Sequence, residues 1–500
     1  MPSLLLAIDQ GTTGSQVSFH DADSLATLAR AKSEFRQIFP EPGWVEHAPA
    51  DIWESVARAY ASAREELGRT RPALARESVV AIGLTNQRET CVAWDVRTGE
   101  SPRNAIVWQD RRTAQACARL KADPKNAAAL RERTGLVCDP YFSATKMQWM
   151  LENDDGVKRL AREGNLALGT VDAWLLWKLT RGTAFVTDHT NASRTLLYGL
   201  DRGDWDDELC ARFGVPKSAL PRVVDSVGPL GVTKGFLDLP DGTPITGCLG
   251  DQQAALFGQD CESPGEAKIT YGTGAFLLMH TGTKPVRSDD GLLATVACSR
   301  GGVRTFAREG AAFVAGAAVQ FARDNLGWIS RSSEIEQKAV SCERDPGLVF
   351  VPALAGLPAP WWNPDARGVL FGLTRGTTRE QIMRAILESV ALQNTVLLGL
   401  MSASAGVPLG RVGVDGGAAL NDFLMQFQAD VLRTTLRRPG DVETTSRGAV
   451  KAARLGLGET TPAAPDDRSR DFSPRMAPEL AERINSAWQK AARAVNEFYS

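Results

Sequence analysis

Residues 4–20 read LLLAIDQGTTGSQVSFH, an apolar run, a polar turn and an alternating run. Leu4 to Ile8 has the continuous hydrophobicity of a fully buried strand, and Gln16 to His20 alternates on Val17 and Phe19 as a second strand. Between them, Asp9-Gln10-Gly11-Thr12-Thr13-Gly14-Ser15 has the composition of a tight turn. Such a turn offers hydroxyls and free backbone N–H groups to phosphate oxygens, and Asp9 could hold a metal through water. An ordinary solvated turn has the same residue types. What distinguishes this one is topology: nucleotide loops of the Walker and Rossmann kinds join a strand to a helix, whereas this turn joins two strands. The chain has no Gly-Lys dipeptide, which excludes a Walker lysine, and no His-Arg-Asp or Asp-Phe-Gly element.

The device recurs in the second half. Ala267 to Tyr271 reads as a strand, Gly272-Thr273-Gly274 as a turn and Ala275 to His280 as a second strand. Two hydroxyl- and glycine-bearing hairpins, one per half, predict an α/β protein of two related lobes whose turns face one nucleotide phosphate chain. A strand-turn-strand phosphate loop is the arrangement of the actin, hexokinase and Hsp70 superfamily. The expected division is residues 1–254 and 255–500.

Between the hairpins lies Gly250 to Gln259, GDQQAALFGQ, after the glycine-bounded apolar run 244–250. Asp251 therefore stands where a strand gives way to a helix, either as the cap of that helix or as a carboxylate facing a cleft. The strand Val79 to Leu84 ends in Thr85-Asn86-Gln87-Arg88-Glu89-Thr90, where Arg88 and Glu89 form a surface pair or donate to and accept from the hydroxyls of a polyol. Trp108, after the apolar run 105–107, is core or a ligand platform. The stretch 187–195 is dense in polar side chains and reads as a buried network supporting the fold. Glu309-Gly310 is expected to introduce a small-residue helix from Ala311 to Phe321 that carries Gly316 and Gln320. Gln381 to Leu400 reads as a core helix, and Val412 to Val414 as a strand leading through Gly416-Gly417 to the helix Asp422 to Leu432.

The totals narrow the function. Five hundred residues, 43% of them hydrophobic, suffice for roughly three average domains or two large ones. With 57 basic against 59 acidic residues there is no global field favouring nucleic acid or an anionic membrane, and a small neutral or locally steered ligand fits better. The eight cysteines are scattered without metal-ligand spacing and read as reduced thiols of a cytoplasmic protein. The N-terminus lacks the pattern of a signal peptide, and no uninterrupted apolar stretch reaches the roughly 20 residues of a membrane span, so no membrane insertion is expected.

With these stretches assembled, the chain resembles the FGGY carbohydrate kinase family over nearly its whole length. The matching segments are DQGTTGS at Asp9, PGWVEH at Pro42, TNQRET at Thr85, IVWQDRRT at Ile106, DPYFSATKMQW at Asp139, GTVDAWLLWKLT at Gly169, TNASRT at Thr190, GDQQAALFGQ at Gly250, YGTGAF at Tyr271, FGLTRG at Phe371 and DGGAALNDFLMQFQAD at Asp415. Residues 141–153 and 368–388 resemble the two family signatures.

The resemblance implies two ribonuclease H-like lobes around a central cleft, and transfer of the γ-phosphoryl of ATP to the 3-hydroxyl of glycerol, with release of ADP, as in glycerol catabolism. By position, Asp251 would be the general base. Arg88, Glu89, Tyr141 and Gln252 would bind the other hydroxyls, with Trp108 and Phe276 enclosing the carbon chain. Thr12, Thr13, Gly14, Ser15, Gln16, Thr273, Gly316, Gln320, Gly417 and Asn421 would hold the nucleotide, and Asp9 with Asp251 would organise Mg²⁺. A homo-oligomer, dimer or tetramer, is implied as well. Alternatives are a family kinase for another polyol or sugar such as xylulose, and an actin-like nucleotide-binding module without transferase activity. The chain departs from the family pattern at three places. Gln16 stands where many members carry an arginine, Gly14 replaces a serine, and residues 231–247 lack both a glycine-rich basic loop and a regulatory histidine.

Overall fold

The computed structural model describes residues 3–459 and 468–500; part of the proline-containing stretch expected after Leu457 lies outside the described residues. The opening hairpin forms as read, with Leu4–Gln10 antiparallel to Gly14–Asp21 and Gln10 opposite Ser15. Its first strand is buried on both faces because it is central. Val79–Asn86 lies parallel to it on the other side, and Pro244–Gly250 lies parallel to Val79–Asn86.

The second half repeats this plan. Ala267–Tyr271 is antiparallel to Ala275–Gly282 and parallel to Val412–Asp415, which is parallel in turn to Leu436–Arg438. In each half a hairpin is followed, beyond its first strand, by two parallel strands reached through long crossovers. This is the ribonuclease H-like layout expected. The two sheets join edge to edge, Leu293–Arg300 of the second half meeting Val227–Val232 through the single partner pair Val227 and Arg300, so 13 strands form one continuous surface.

Helices cover both faces. Pro49–Thr70 starts with proline at its first turn and buries Ile52, Val56, Ala59, Tyr60, Ala63 and Leu67 at helical spacing against the first sheet. The opposite face is covered by Thr444–Gly456, a helix from late in the chain that packs on the first-half strands Leu4–Gln10, Val79–Asn86 and Pro244–Gly250 and on the helix Asp251–Gly258. The approach is backbone to backbone: a Cβ at Gly83 would stand 2.1 Å from the Ala449 carbonyl, and one at Gly448 would stand 1.9 Å from the Ala254 carbonyl. Position 254, the expected boundary, thus falls inside the helix Asp251–Gly258, on which a second-half helix also rests.

The core helix of the second half runs Arg379–Ala405, opened by a Thr378–Gln381 capping box and closed by Gly406 at φ 63°. By length and hydropathy it could cross a membrane, yet 72% of its most apolar window is buried inside the protein. It is a core helix.

The small-residue helix expected from Ala311 does not begin there. Strand Val303–Ala312 continues through Ala311 and Ala312, which pair with Phe276 and Ala275, and the helix spans only Gly316–Gln320 before Phe321–Asn325 widens into a π-turn. Cross-strand pairing overrides the helical preference of alanine.

Candidate active site

Three parallel strands of the first half end at the same edge, where Thr85 is opposite Asp9 and Asn86 is opposite both Gln10 and Gly250. The carboxyl ends of parallel strands are where α/β sheets bind ligands. Here they carry Asp9, the Arg88-Glu89 pair and Asp251.

Asp251 is the first residue of its helix rather than the cap, a position Gly250 holds. One carboxylate oxygen accepts from the Gln252 amide at 2.7 Å and lies 3.2 Å from Arg88 Nε. The carboxylate keeps about a third of its surface exposed, whereas Arg88 is buried. Gly250 makes this approach possible, because a Cβ there would meet the Arg88 stem at 2.8 Å.

Arg88 and Glu89 are not a surface pair. The chain turns sharply after Val79–Asn86, with Glu89 at φ 60°, a conformation few non-glycine residues adopt and one that clusters at functional sites. Arg88 donates to both oxygens of Glu309, at 2.7 and 3.0 Å, while Arg194 donates to Glu89 at 2.7 Å and to Glu309 at 3.0 Å. All four side chains are at most 3% exposed. Burial alone would raise the carboxyl of Glu309, but Arg194 and Arg88 overcome it and bring the group down to about 2. For Glu89, burial prevails over Arg88 and Arg194 and its carboxyl is raised.

Tyr141 Oη accepts from Arg88 at 3.4 Å, and its ring meets Trp108 edge-on at 5.6 Å between centroids. Trp108 Nε1 donates to Thr12 Oγ1 at 3.0 Å, so an indole joins the hydroxyl-binding group to the first turn. Gln252 accepts from Lys268 Nζ, which also donates to Thr270 at 2.8 Å. Burial lowers the Lys268 ammonium to about 8 although Asp415 and Asp251 oppose the shift. Lys268, Thr270, Phe276 and Glu309 share one face of the second sheet by register, which sets the Phe276 ring on the same side as the ion network.

The nucleotide candidates gather around both turns. Gly316 N and Ala317 N donate to Gly272 O and Thr273 O, both at 3.0 Å, and a Cβ at Gly316 would stand 2.7 Å from the Gly272 carbonyl. Gly416, at φ 83°, lies so near Tyr271 that a Cβ would stand 2.4 Å from its carbonyl, leaving Gly417 exposed beside the second turn. Gln320 is exposed, and Asn421 caps the helix Asp422–Leu432 by accepting from Leu424 N at 2.8 Å. Thr12 and Thr13 stand at the tip of the first turn. The Ser15 hydroxyl points away from it, 2.7 Å from Ser55 in the core, and Gln16 donates to Ser446 at 3.4 Å.

Asp9 is half-buried and faces other acids. Burial chiefly, then Asp251 and Glu443, push its carboxyl up to about 8. The sequence reading missed Glu309, Arg194 and Lys268. Arg194 lies in a polar stretch whose composition reads as scaffold, Glu309 precedes a run of small residues that reads as a helix start, and a lysine in a central strand has no local sign of its partners.

A glycine- and hydroxyl-bearing turn on each half, a buried network of two arginines and two glutamates, and the part-exposed carboxylate of Asp251 beside it have the make-up of a kinase site for small hydroxylated molecules. Residues 4–258 match the N-terminal domain of the FGGY family of carbohydrate kinases, and residues 267–456 match its C-terminal domain. A glycerol kinase of Alkalilimnicola ehrlichii is 49% identical over 98% of this chain and 97% of its own. A Plasmodium falciparum glycerol kinase solved with ADP superposes with a TM-score of 0.92 at 33% identity, covering 99% of this chain and 98% of its own. A xylulose kinase of Rhodospirillum rubrum, 22% identical with a TM-score of 0.85 over 99% of both chains, shares the fold. The chain belongs to the FGGY family of carbohydrate kinases.

Proposed function

We propose that this enzyme transfers the γ-phosphoryl of ATP to a terminal hydroxyl of glycerol, giving sn-glycerol 3-phosphate and ADP. The observation that carries the reading is the placement of Asp251, an accessible carboxylate held 3.2 Å from the buried guanidinium of Arg88 at the shared end of three strands. The names of the relatives support glycerol as acceptor.

Phosphoryl transfer depends on alignment and charge neutralisation more than on covalent help. Arg88, Glu89, Tyr141 and Gln252 bind the two hydroxyls that do not react, while Trp108 and Phe276 flank the carbon chain. The attacking hydroxyl is thereby left at Asp251, which accepts its proton. Recognition of paired hydroxyls in a dry site can reject a ligand lacking one by about 10⁴ to 10⁵. The turns holding Thr12, Thr13, Gly14 and Thr273 cradle the phosphates, with Ser15 contributing backbone alone and Gln16 lying alongside. Gly316, Gln320, Gly417 and Asn421 line the nucleoside side.

A divalent cation suits the cluster of Asp9, Asp251 and Glu443, whose mutual repulsion it would relieve. Bound there by Asp9 and Asp251, Mg²⁺ would neutralise phosphate charge. The same reading includes lobes dividing near residue 254, a cytoplasmic location supported by eight unpaired cysteines, and a homo-oligomer to be tested by light scattering. ADP release measured with glycerol, dihydroxyacetone, erythritol and xylulose tests the substrate. Preference for glycerol is expected, and a clear preference for the pentulose would overturn it.

A further inference from the structure

Three neighbouring strands set Asp9, Gln16 and Lys32 in a row, Asp9 opposite Gln16 and Gln16 opposite Lys32. Cross-strand partners project to one face, so the three side chains lie side by side next to the first turn. The Lys32 stem runs along that turn, its Cε 3.3 Å from where a Cβ of Gly14 would be. A side chain at position 14 would meet the Ser33 carbonyl at 2.7 Å and Glu34 Cα at 3.1 Å as well as the Lys32 stem.

The charges around this row are unequal. Asp9, Asp251 and Glu443 are acids, and Lys32 is the base whose field opposes them at Asp9. Arg30, the next base along the same face, is tied to Asp441 at 3.1 Å. Gln16 is neutral. Lys32 has only a loose ion pair, 3.7 Å from Glu34, and the two side chains are 52% and 76% exposed. An exposed pair of this kind holds a lysine weakly, so its ammonium is free to turn toward a stronger anion.

We infer that Lys32 is a nucleotide-binding residue, its ammonium engaging phosphate oxygens held over the first turn together with the backbone N–H groups of Thr12 and Thr13, the Gly11 N–H being taken by Gly14 O. This rests on the reading of that turn as a phosphate site and extends it to the neighbouring strand Thr27–Glu34. Three observations converge on it: the register that aligns Lys32 with Asp9, the stem lying along Gly14, and the commitment of Arg30, the next base on this face, to Asp441.

The test compares Lys32→Met and Lys32→Arg with the parent enzyme, using calorimetric Kd values for ATP and adenosine and the KM for glycerol. Lys32→Met should weaken ATP about three- to tenfold, with adenosine affinity and the KM for glycerol unchanged, and Lys32→Arg should retain ATP affinity. The ATP deficit should shrink as salt rises. Unchanged ATP affinity in Lys32→Met, with the parent active on glycerol, overturns the role of Lys32 and leaves the kinase reading standing. Equal losses for ATP and adenosine would point to a structural effect and overturn it too. A parent protein that binds no ATP would instead sink the phosphate-site reading on which the inference rests.

Discussion

Glu309 Oε2 accepts from Arg88 Nη1 at 2.7 Å and Oε1 from Nη2 at 3.0 Å, so a carboxylate of the second hairpin system fixes the guanidinium that flanks Asp251 in the first. The same carboxylate takes Arg194, leaving two arginines and two glutamates closed on one another in the interior.

Glu309→Gln removes one negative charge from a buried set and leaves Arg88 and Arg194 sharing Glu89. Breaking a buried pair by removing one partner typically costs about 3–5 kcal/mol, much of it from the stranded charge. Part of that will appear as misplacement of Arg88, so kcat/KM for glycerol should fall by about 30-fold or more while the KM for ATP stays within about twofold. Steady-state kinetics with each substrate varied separates the two.

Glu309 also links stability to acid. Its folded value, about 2, is depressed below the unfolded value, so its contribution is fully present at neutral pH and is lost as pH falls from about 4.5 toward 2. The Tm gap between the parent and Glu309→Gln should be widest near pH 7 and narrow steadily below pH 4.5. A gap of constant size across that range would contradict the assignment.

Asp251→Asn keeps the size of the side chain and its acceptor toward Gln252 N but removes proton acceptance. A fall in kcat of at least about 10²- to 10⁴-fold is expected, with the folded state preserved by circular dichroism. If kcat stays near the parent value, another group takes the proton.

Gly316→Ala places a Cβ 2.7 Å from the Gly272 carbonyl and must displace the second turn. The KM for ATP should rise by about tenfold or more with little change for glycerol, because the polyol group sits on other elements. Gly416→Ala adds backbone strain to a closer clash with Tyr271, and its damage should be greater.

Much of the candidate site was legible because its residues sit where strands end. Asp9, Arg88, Glu89 and Asp251 each follow an apolar run, and that local pattern places a polar residue at a sheet edge without any knowledge of neighbours. At Ala311 the local expectation is a helix, because alanine is a strong helix former, and only its partners Ala275 and Phe276 hold it in a strand. Thr444–Gly456 gave no sign of its destination. Its small residues fit glycines of the first half, a match between positions hundreds of residues apart.

The sequence by itself determined the two hairpins and their polar turns, because strand periodicity and turn chemistry are local properties. It also supplied the ordered motifs that mark the family. Tertiary structure alone decided which charges meet. Glu309 lies 221 residues from Arg88 and Lys268 lies 16 from Gln252, and burial makes each pairing strong only once the lobes have folded and excluded water. Asp251 became more than a helix residue for the same reason: Arg88 pairs with it, and it acts on Asp9, only through the parallel register of three strand ends.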